Sequence, residues 1–254
     1  MQIIEKATQA FDVQASPLVL ISIFAISIFA RWIINILAHH IPDKMIYEWK
    51  KEIAQERNET FIEATPCLKK SAQETPFLPK WTSKPDLVQM ASDIFALLSP
   101  VAITMATHHL SYQNAAFSLL IWICCLAMLI DKQYMLLPDV VTQPALWLGL
   151  LSSLLGITIT PESAIAGAAV GYIAIFIFAT GFKAITKADG IGMGDAKWLA
   201  VTGAWFGFEI SVHILIIATA LGVLHSLISK EKEFALGPML CTATVIACFR
   251  QLVF

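Results

Sequence analysis

Charged residues are scarce in this sequence. Asp, Glu, Lys and Arg make up 14% of its 254 residues, whereas 57% of the residues are hydrophobic. A soluble domain has about a quarter of its residues charged, and here long apolar runs alternate with short polar ones. This distribution is typical of a membrane protein and excludes a large soluble core. The formal net charge of −2 gives no electrostatic reason to expect binding to nucleic acid.

Cysteines with the spacing of a metal site or a disulfide framework are also missing. The five cysteines are Cys67, Cys124, Cys125, Cys241 and Cys248. His39 and His40 are adjacent, so on a helix they point in different directions and do not form a metal site with Cys67. The N-terminus lacks a short apolar core followed by a small-residue cleavage site. We therefore predict no metal site and no removable signal peptide.

Apolar runs account for most of the chain. They lie at about 17–38, 87–106, 114–130, 145–160, 163–182, 196–208, 210–228 and 235–253. A spanning helix needs ~20 residues and at least about 17, so the fourth and sixth runs are short. The sequence predicts an all-α bundle of about eight transmembrane helices, with seven as the alternative count.

A polar stretch, 39–86, separates the first two runs and is rich in Lys and Glu. It is too short to form a domain with its own large core. Residues from Ile46 to Thr60 are predicted to form a charged surface helix, and the prolines that follow predict irregular chain. These prolines are Pro66, Pro76, Pro79 and Pro85. We predict two regions: 1–86, a transmembrane helix with its loop, and 87–254, a transmembrane domain.

Lys and Arg are unequally divided between the predicted loops, and this asymmetry sets the orientation. With the N-terminus outside, fourteen of the 17 Lys and Arg residues lie in segments that face the cytosol. The outer loops around 108–114 and 158–163 contain none. The sequence therefore predicts an N-terminus outside and a cytosolic 39–86 stretch.

Two polar junctions lie on the predicted cytosolic side and carry the candidate chemistry. One runs from Asp131 to Asp139 after the third run, and the other from Asp189 to Lys197 before the sixth. Taken singly, Asp195 has a simpler interpretation as a helix N-cap, and Asp131 as a solvated loop residue. Taken together, two carboxylates at one membrane depth form a pair that can share a proton and hydrolyse a peptide bond.

Four motifs occur in order along the chain. Residues 35–42 read Asn-Ile-Leu-Ala-His-His-Ile-Pro, and Asp131 is followed by Leu-Leu-Pro-Asp at 136–139. Residues 192–197 read Gly-Met-Gly-Asp-Ala-Lys, and residues 236–238 read Leu-Gly-Pro. In these motifs the sequence resembles the bacterial type IV prepilin peptidases, which are Gly-x-Gly-Asp intramembrane aspartyl proteases.

The resemblance implies an aspartic endopeptidase of the bacterial inner membrane, with a multi-pass chain and an active site toward the cytosol. It implies that Asp131 and Asp195 are the catalytic pair, without a metal or a cofactor for cleavage. Its substrate would be the N-terminal leader and membrane helix of a type IV prepilin or type II secretion pseudopilin, cut after a Gly just on the cytosolic side. The residues expected to bind substrate or support the motifs are Gly192, Gly194, Lys197, Pro138 and Asp139.

The N-terminal part departs from the family pattern. Many members have two Cys-x-x-Cys pairs in the first cytosolic loop, a zinc-type arrangement, whereas this loop has only Cys67. His40 stands in place of an Arg, and Gln89 in place of a Glu. Members also N-methylate the product from S-adenosylmethionine, and this activity is linked to the N-terminal part. We therefore interpret 1–86 as a degenerate N-methyltransferase-like region and 87–254 as the peptidase domain, with S-adenosylmethionine a cofactor only where methylation is retained.

Several roles follow from position alone. Asp195 precedes a helix, where free amides favour a carboxylate, so it is predicted to be the base toward water, with Asp131 carrying the shared proton. Lys197 faces away from Asp195 on a helix, and it is predicted to meet lipid phosphate or substrate. Asp93 is predicted to reach water.

The rival class is a transporter or a pilus-assembly scaffold without peptidase activity. A transporter would have its charges near the bilayer midplane at broken helices. The position of the carboxylates at the cytosolic rim favours the peptidase.

Overall fold

The fold is described here from a computed structural model, which describes residues 13–14, 16–56, 87–107, 109–186, 192–229 and 236–253. The helices in these ranges are α1 (Pro17–Glu56), α2 (Leu87–Thr107), α3 (Tyr112–Tyr134), α4 (Asp139–Leu154), α5 (Pro161–Thr186), α6 (Met193–Ser229) and α7 (Gly237–Val253). Two short strands, β1 (Val13–Gln14) and β2 (His109–Leu110), pair antiparallel. The predicted helical membrane architecture is thus confirmed. Among the described residues, four helices are long and apolar enough to cross a membrane: α1, α3, α5 and α6.

Two predicted boundaries differ from the structure. α1 continues through Pro42 to Glu56, so the first apolar run and the beginning of the predicted surface helix form one helix. α4 begins at Asp139 rather than near 145. Pro138 precedes it in an extended conformation (φ −72°, ψ 145°), and Asp139 supplies a negative charge in the first turn, where the helix dipole favours one.

The runs at 196–208 and 210–228 belong to one element, α6, which is bent at Gly207. This residue has φ 81° and ψ 174°, a combination that is nearly restricted to glycine. Leu215, after the bend, packs against the buried cluster that Ala196 and Leu199 form with Ile175. Leu199 and Leu215 would be about 24 Å apart along a straight helix. The two halves of α6 therefore lie side by side, as a helical hairpin with Gly207 at its turn.

The central helix of the bundle is α3, which packs against α1, α2, α4 and α7. In its most apolar window 67% of the residues are buried, against 11% in α1 and 22% in both α5 and α6. The large apolar exposure of these three helices suits contact with lipid tails. Most of the residues of α3 are instead buried inside the bundle. Asp131, in the last turn of α3, is buried with them.

Indole groups connect the helices through backbone or hydroxyl acceptors. Trp122 Nε1 donates to the Ala96 carbonyl at 3.1 Å and Trp205 Nε1 to the Ala145 carbonyl at 2.9 Å. Each bond satisfies a buried donor that would otherwise cost free energy in an apolar environment.

α1 packs against α2 and α3. The predicted division at 86/87 stays a prediction, since residues 57–86 lie outside the described part of the chain.

Candidate active site

Asp131 lies in the last turn of α3, and its side chain is turned into the bundle. Only 5% of the residue is exposed. The helix ends one turn later, where Met135 adopts the left-handed conformation (φ 51°) and its N–H donates to the Asp131 carbonyl. The Oδ2 atom of Asp131 accepts a hydrogen bond from the Gly237 N–H at 3.0 Å. The interpretation of Asp131 as a solvated loop residue is therefore wrong.

Asp195 is the third residue of α6 and is partly exposed. Its N–H donates to the Gly192 carbonyl at 3.1 Å, and its carboxylate accepts from the Gly192 backbone N–H. This resembles one half of a capping box, in which a side chain in the first turn reaches back to the residue before the helix. Asp195 is therefore not the N-cap itself, because Gly192 occupies that position.

The segments that carry the two aspartates pack against each other. The Asp131 carboxyl group is near enough to that of Asp195 to act on it electrostatically. Gly194 lies directly against Leu137: a Cβ atom at Gly194 would be 3.0 Å from the Leu137 Cβ. A side chain at residue 194 would push the two motifs apart. The glycine thus allows the Gly-x-Gly-Asp segment to pack on the Leu-Leu-Pro-Asp segment that follows Asp131.

A second link between these motifs is an ion pair. The Lys197 ammonium group contacts the Asp139 carboxylate, Oδ1 being the nearer oxygen. Pro138, which is buried, is the N-cap residue of α4 and directly precedes Asp139. Lys197 was predicted to meet lipid phosphate or substrate, and neither contact is tested by the structure. The ion pair between Lys197 and Asp139 connects the start of α4 to the start of α6.

The other two motifs border the same place. Gly237 begins α7 and reaches Asp131, as described above. Asp43, directly after the 35–42 motif on α1, accepts a hydrogen bond from the Tyr134 hydroxyl at 3.4 Å. Three of the motifs therefore meet around the end of α3, and the fourth, 35–42, ends one residue before Asp43, which contacts Tyr134 there.

An ion pair away from this site was missed by sequence reasoning. Arg31 on α1 contacts Asp93 on α2, with Nη2 and Oδ2 2.5 Å apart. Asp93 was predicted to reach water, and its side chain is partly exposed but neutralised by this arginine. The pairing of an acidic and a basic residue in neighbouring apolar helices was the signal that could have revealed it, because charges in such helices pair with one another.

The predicted division of roles between the aspartates rested on helix ends alone. In the structure each carboxylate has a backbone donor, Gly237 for Asp131 and Gly192 for Asp195. Both donors precede or begin a helix, so the positive end of a helix dipole acts on each carboxylate. The assignment of Asp195 as the base and of Asp131 as the carrier of the shared proton stays a prediction.

Among the described residues, no group of three or more His, Cys, Asp or Glu side chains is arranged to hold a metal ion. Cys67 lies outside them. Two carboxyl groups that interact electrostatically, Asp131 on a buried and Asp195 on a partly exposed residue, can hold one proton between them and activate water when they come within hydrogen-bonding reach.

Comparison with known proteins agrees with the motifs. Residues 118–227 match the family described as the type IV leader peptidase family. This segment contains both aspartates, the Leu-Leu-Pro-Asp motif and the Gly-x-Gly-Asp motif, whereas Gly237 lies beyond it. No solved structure matches the chain.

Three curated relatives carry the name prepilin leader peptidase/N-methyltransferase. One from Dichelobacter nodosus is 34% identical over 151 residues, which are 58% of this chain and 53% of the relative. One from Aeromonas hydrophila is 36% identical over 160 residues, 60% and 54% of the two chains. One from Pseudomonas aeruginosa is 34% identical over 144 residues, 54% and 50%. The chain spans about half the length of the curated relatives it matches. The resemblance to type IV prepilin peptidases is thus confirmed over the segment that carries both aspartates.

Proposed function

We propose that this protein is a membrane aspartyl endopeptidase that removes the leader from type IV prepilins or type II secretion pseudopilins. The observation that carries the proposal is the meeting of Asp131 and Asp195 at the junction of the motifs, where each carboxylate is held by a backbone donor. The similarity to prepilin leader peptidases covers these same residues. A transporter is less well supported, because both carboxylates lie at helix ends.

The proposed reaction needs only the two carboxyl groups and a water molecule. The ionised carboxylate removes a proton from water while the oxygen attacks the scissile carbonyl carbon, and the protonated carboxyl group gives its proton to the carbonyl oxygen. When the resulting diol collapses, the carboxyl group that took the proton from water gives it to the amine nitrogen, the carbon–nitrogen bond breaks, and the other carboxylate takes the proton of one diol hydroxyl group as the carbonyl re-forms. The pair then again holds one proton between two carboxyl groups. Five further residues would support the two motifs and so position the two aspartates: Gly192, Gly194, Pro138, Asp139 and Lys197.

We propose that the site faces the cytosol and that the N-terminus lies outside, in the bacterial inner membrane. The support is the excess of Lys and Arg in the segments assigned to the cytosol. The hairpin of α6 returns the chain to the side where it began, so Gly237 can start α7 beside Asp131. Four of the described helices are long and apolar enough to span a membrane, and the proposed total of about eight crossings counts the two halves of α6 separately. The substrate's basic leader would remain in the cytosol and its apolar helix in the bilayer.

N-methylation is proposed to be absent or weak. The relatives' name includes an N-methyltransferase, but this chain has a single cysteine, Cys67, where paired cysteines are expected. Cys67 and the polar stretch around it lie outside the described residues. Cleavage itself requires no S-adenosylmethionine in the proposed reaction.

Incubation of the purified protein with a prepilin, followed by mass spectrometry of the product, tests the proposal. We expect a single cut after the Gly at the cytosolic end of the prepilin's apolar helix. The same spectrum reports the new N-terminus, which we expect to be largely unmethylated when S-adenosylmethionine is present. An intact prepilin, under conditions in which a relative from Pseudomonas aeruginosa cleaves it, would contradict the proposed activity. Robust methylation would show that this reaction does not depend on the missing cysteines.

A further inference from the structure

In the first turn of α7, only one backbone N–H group is not used within the helix itself. The N–H groups of Met239 and Leu240 both donate to the Leu236 carbonyl at 3.0 Å. Pro238 has no N–H group and is suited to the first turn of a helix. The Gly237 N–H remains, and it donates to Oδ2 of Asp131 at 3.0 Å. The start of α7 thus directs its one remaining donor at the buried carboxylate.

The space that a side chain at residue 237 would need is occupied by Asp131. A Cβ atom built at Gly237 would be 2.6 Å from Cγ of Asp131, and still closer to Oδ2. Both residues are buried, so neither side chain has open space into which to retreat. Glycine at residue 237 is therefore needed for the carboxylate to occupy its observed position.

The start of α7 is held in place by contacts that do not involve Asp131. α7 packs against α6 as well as against α3. Trp198 Nε1, one turn after Asp195, donates to Oγ1 of Thr244 on α7 at 3.3 Å. α7 is therefore fixed to the helix that carries the second aspartate, and it positions the carboxylate of the first.

We propose that Gly237 is a positioning residue for catalysis: its N–H fixes Oδ2 of Asp131, so that Oδ1 is the oxygen that shares the proton with Asp195. The inference rests on the proposed peptidase function and extends it to a residue outside the matched family segment. Gly237 does not touch the substrate in this account. It acts by setting the orientation of the Asp131 carboxyl plane.

Gly237→Ala tests the proposal by displacing the carboxylate. We expect kcat to fall about 100-fold, because a displacement of about 1 Å in a reacting group can cost that much. KM should change less than about threefold, since the substrate-binding surface is untouched. Gly181→Ala is the matched control, because a Cβ atom there meets nothing within 4 Å, and it should leave both constants unchanged. A wild-type kcat for Gly237→Ala, with Asp131→Asn inactive, would overturn the positioning role while leaving the proposed function intact.

A stability cycle gives a readout that does not depend on activity. Gly237→Ala should lower Tm by about 5 °C in the wild-type background, because the new methyl group collides with the carboxyl group. In an Asp131→Ala background most of the colliding atoms are gone, so the loss should shrink to about 1 °C. Equal losses in both backgrounds would show that Gly237 is required for reasons other than Asp131, and would overturn the proposal even if the variants cannot be assayed for cleavage.

Discussion

Asp131→Asn and Asp195→Asn are each expected to abolish prepilin cleavage while the folded protein remains in the membrane. An amide can neither remove a proton from water nor donate one as a carboxylic acid does, so each variant loses one half of the proposed acid–base pair. We expect the rate to fall at least about a thousandfold for either variant. The double variant should be no slower than the single ones, because the two groups act as a unit.

Glu162→Gln is the matched control for these variants. It makes the same carboxylate-to-amide change at an exposed residue in the first turn of α5, away from the site, and it should cleave at the wild-type rate. Comparable membrane levels and thermal unfolding of all variants would establish that folding is preserved. A single Asn variant that cleaves at nearly the wild-type rate would remove that aspartate from the mechanism.

The cytosolic face is expected to be fully protected from a membrane-impermeant thiol reagent applied outside. Lys70→Cys, Val140→Cys and Lys187→Cys, each in a Cys67→Ser background, should be labelled only after the inner membrane is opened. Cys124, Cys125, Cys241 and Cys248 are buried, so they should contribute little background. The expectation follows from the distribution of Lys and Arg, which is set by the cost of moving cations across the bilayer.

Thr160→Cys provides the outside control for the labelling. It is exposed in the connection between α4 and α5, which the proposed topology assigns to the outer side, and it should react without opening the membrane. Outside labelling at any of the three cytosolic positions would overturn the topology. Because Val140 lies one residue after Asp139, its result also reports on which side the active site lies.

The sequence was sufficient to predict the helical membrane fold and the segments that carry the candidate site, but not the short pairing of β1 with β2. Asp131 and Asp195 are 64 positions apart in the sequence, and only the order of the motifs indicated that they meet. Their approach depends on Gly194 packing against Leu137, a contact between side chain and backbone that hydrophobic periodicity does not reveal. Hydrophobic periodicity does not reveal the Lys197–Asp139 ion pair either, because the pair forms only when α4 and α6 lie side by side.

Other features required backbone geometry that composition does not encode. The apolar runs at 196–208 and 210–228 are separated at Glu209, two residues after the bend at Gly207, and whether the chain bends there or ends a helix depends on the Gly207 φ of 81°. The predicted start of α4 is too late, because Asp139, Thr142, Gln143 and Pro144 interrupt the apolar pattern although they are helical. The donor from Gly237 to Asp131 was missed, because it joins residues 106 positions apart.

The central claim is that Asp131 and Asp195 work as one pair holding a single proton, and the pH dependence of single-turnover cleavage tests it most directly. Substrate should be prebound so that chemistry limits the rate, and wild type and Glu162→Gln should be compared over the range in which the protein stays folded. The account predicts a bell-shaped profile for both, because the base is lost when both groups are protonated and the acid is lost when both are ionised. A rate that is independent of pH across this range, with chemistry shown to be limiting, would contradict the shared proton.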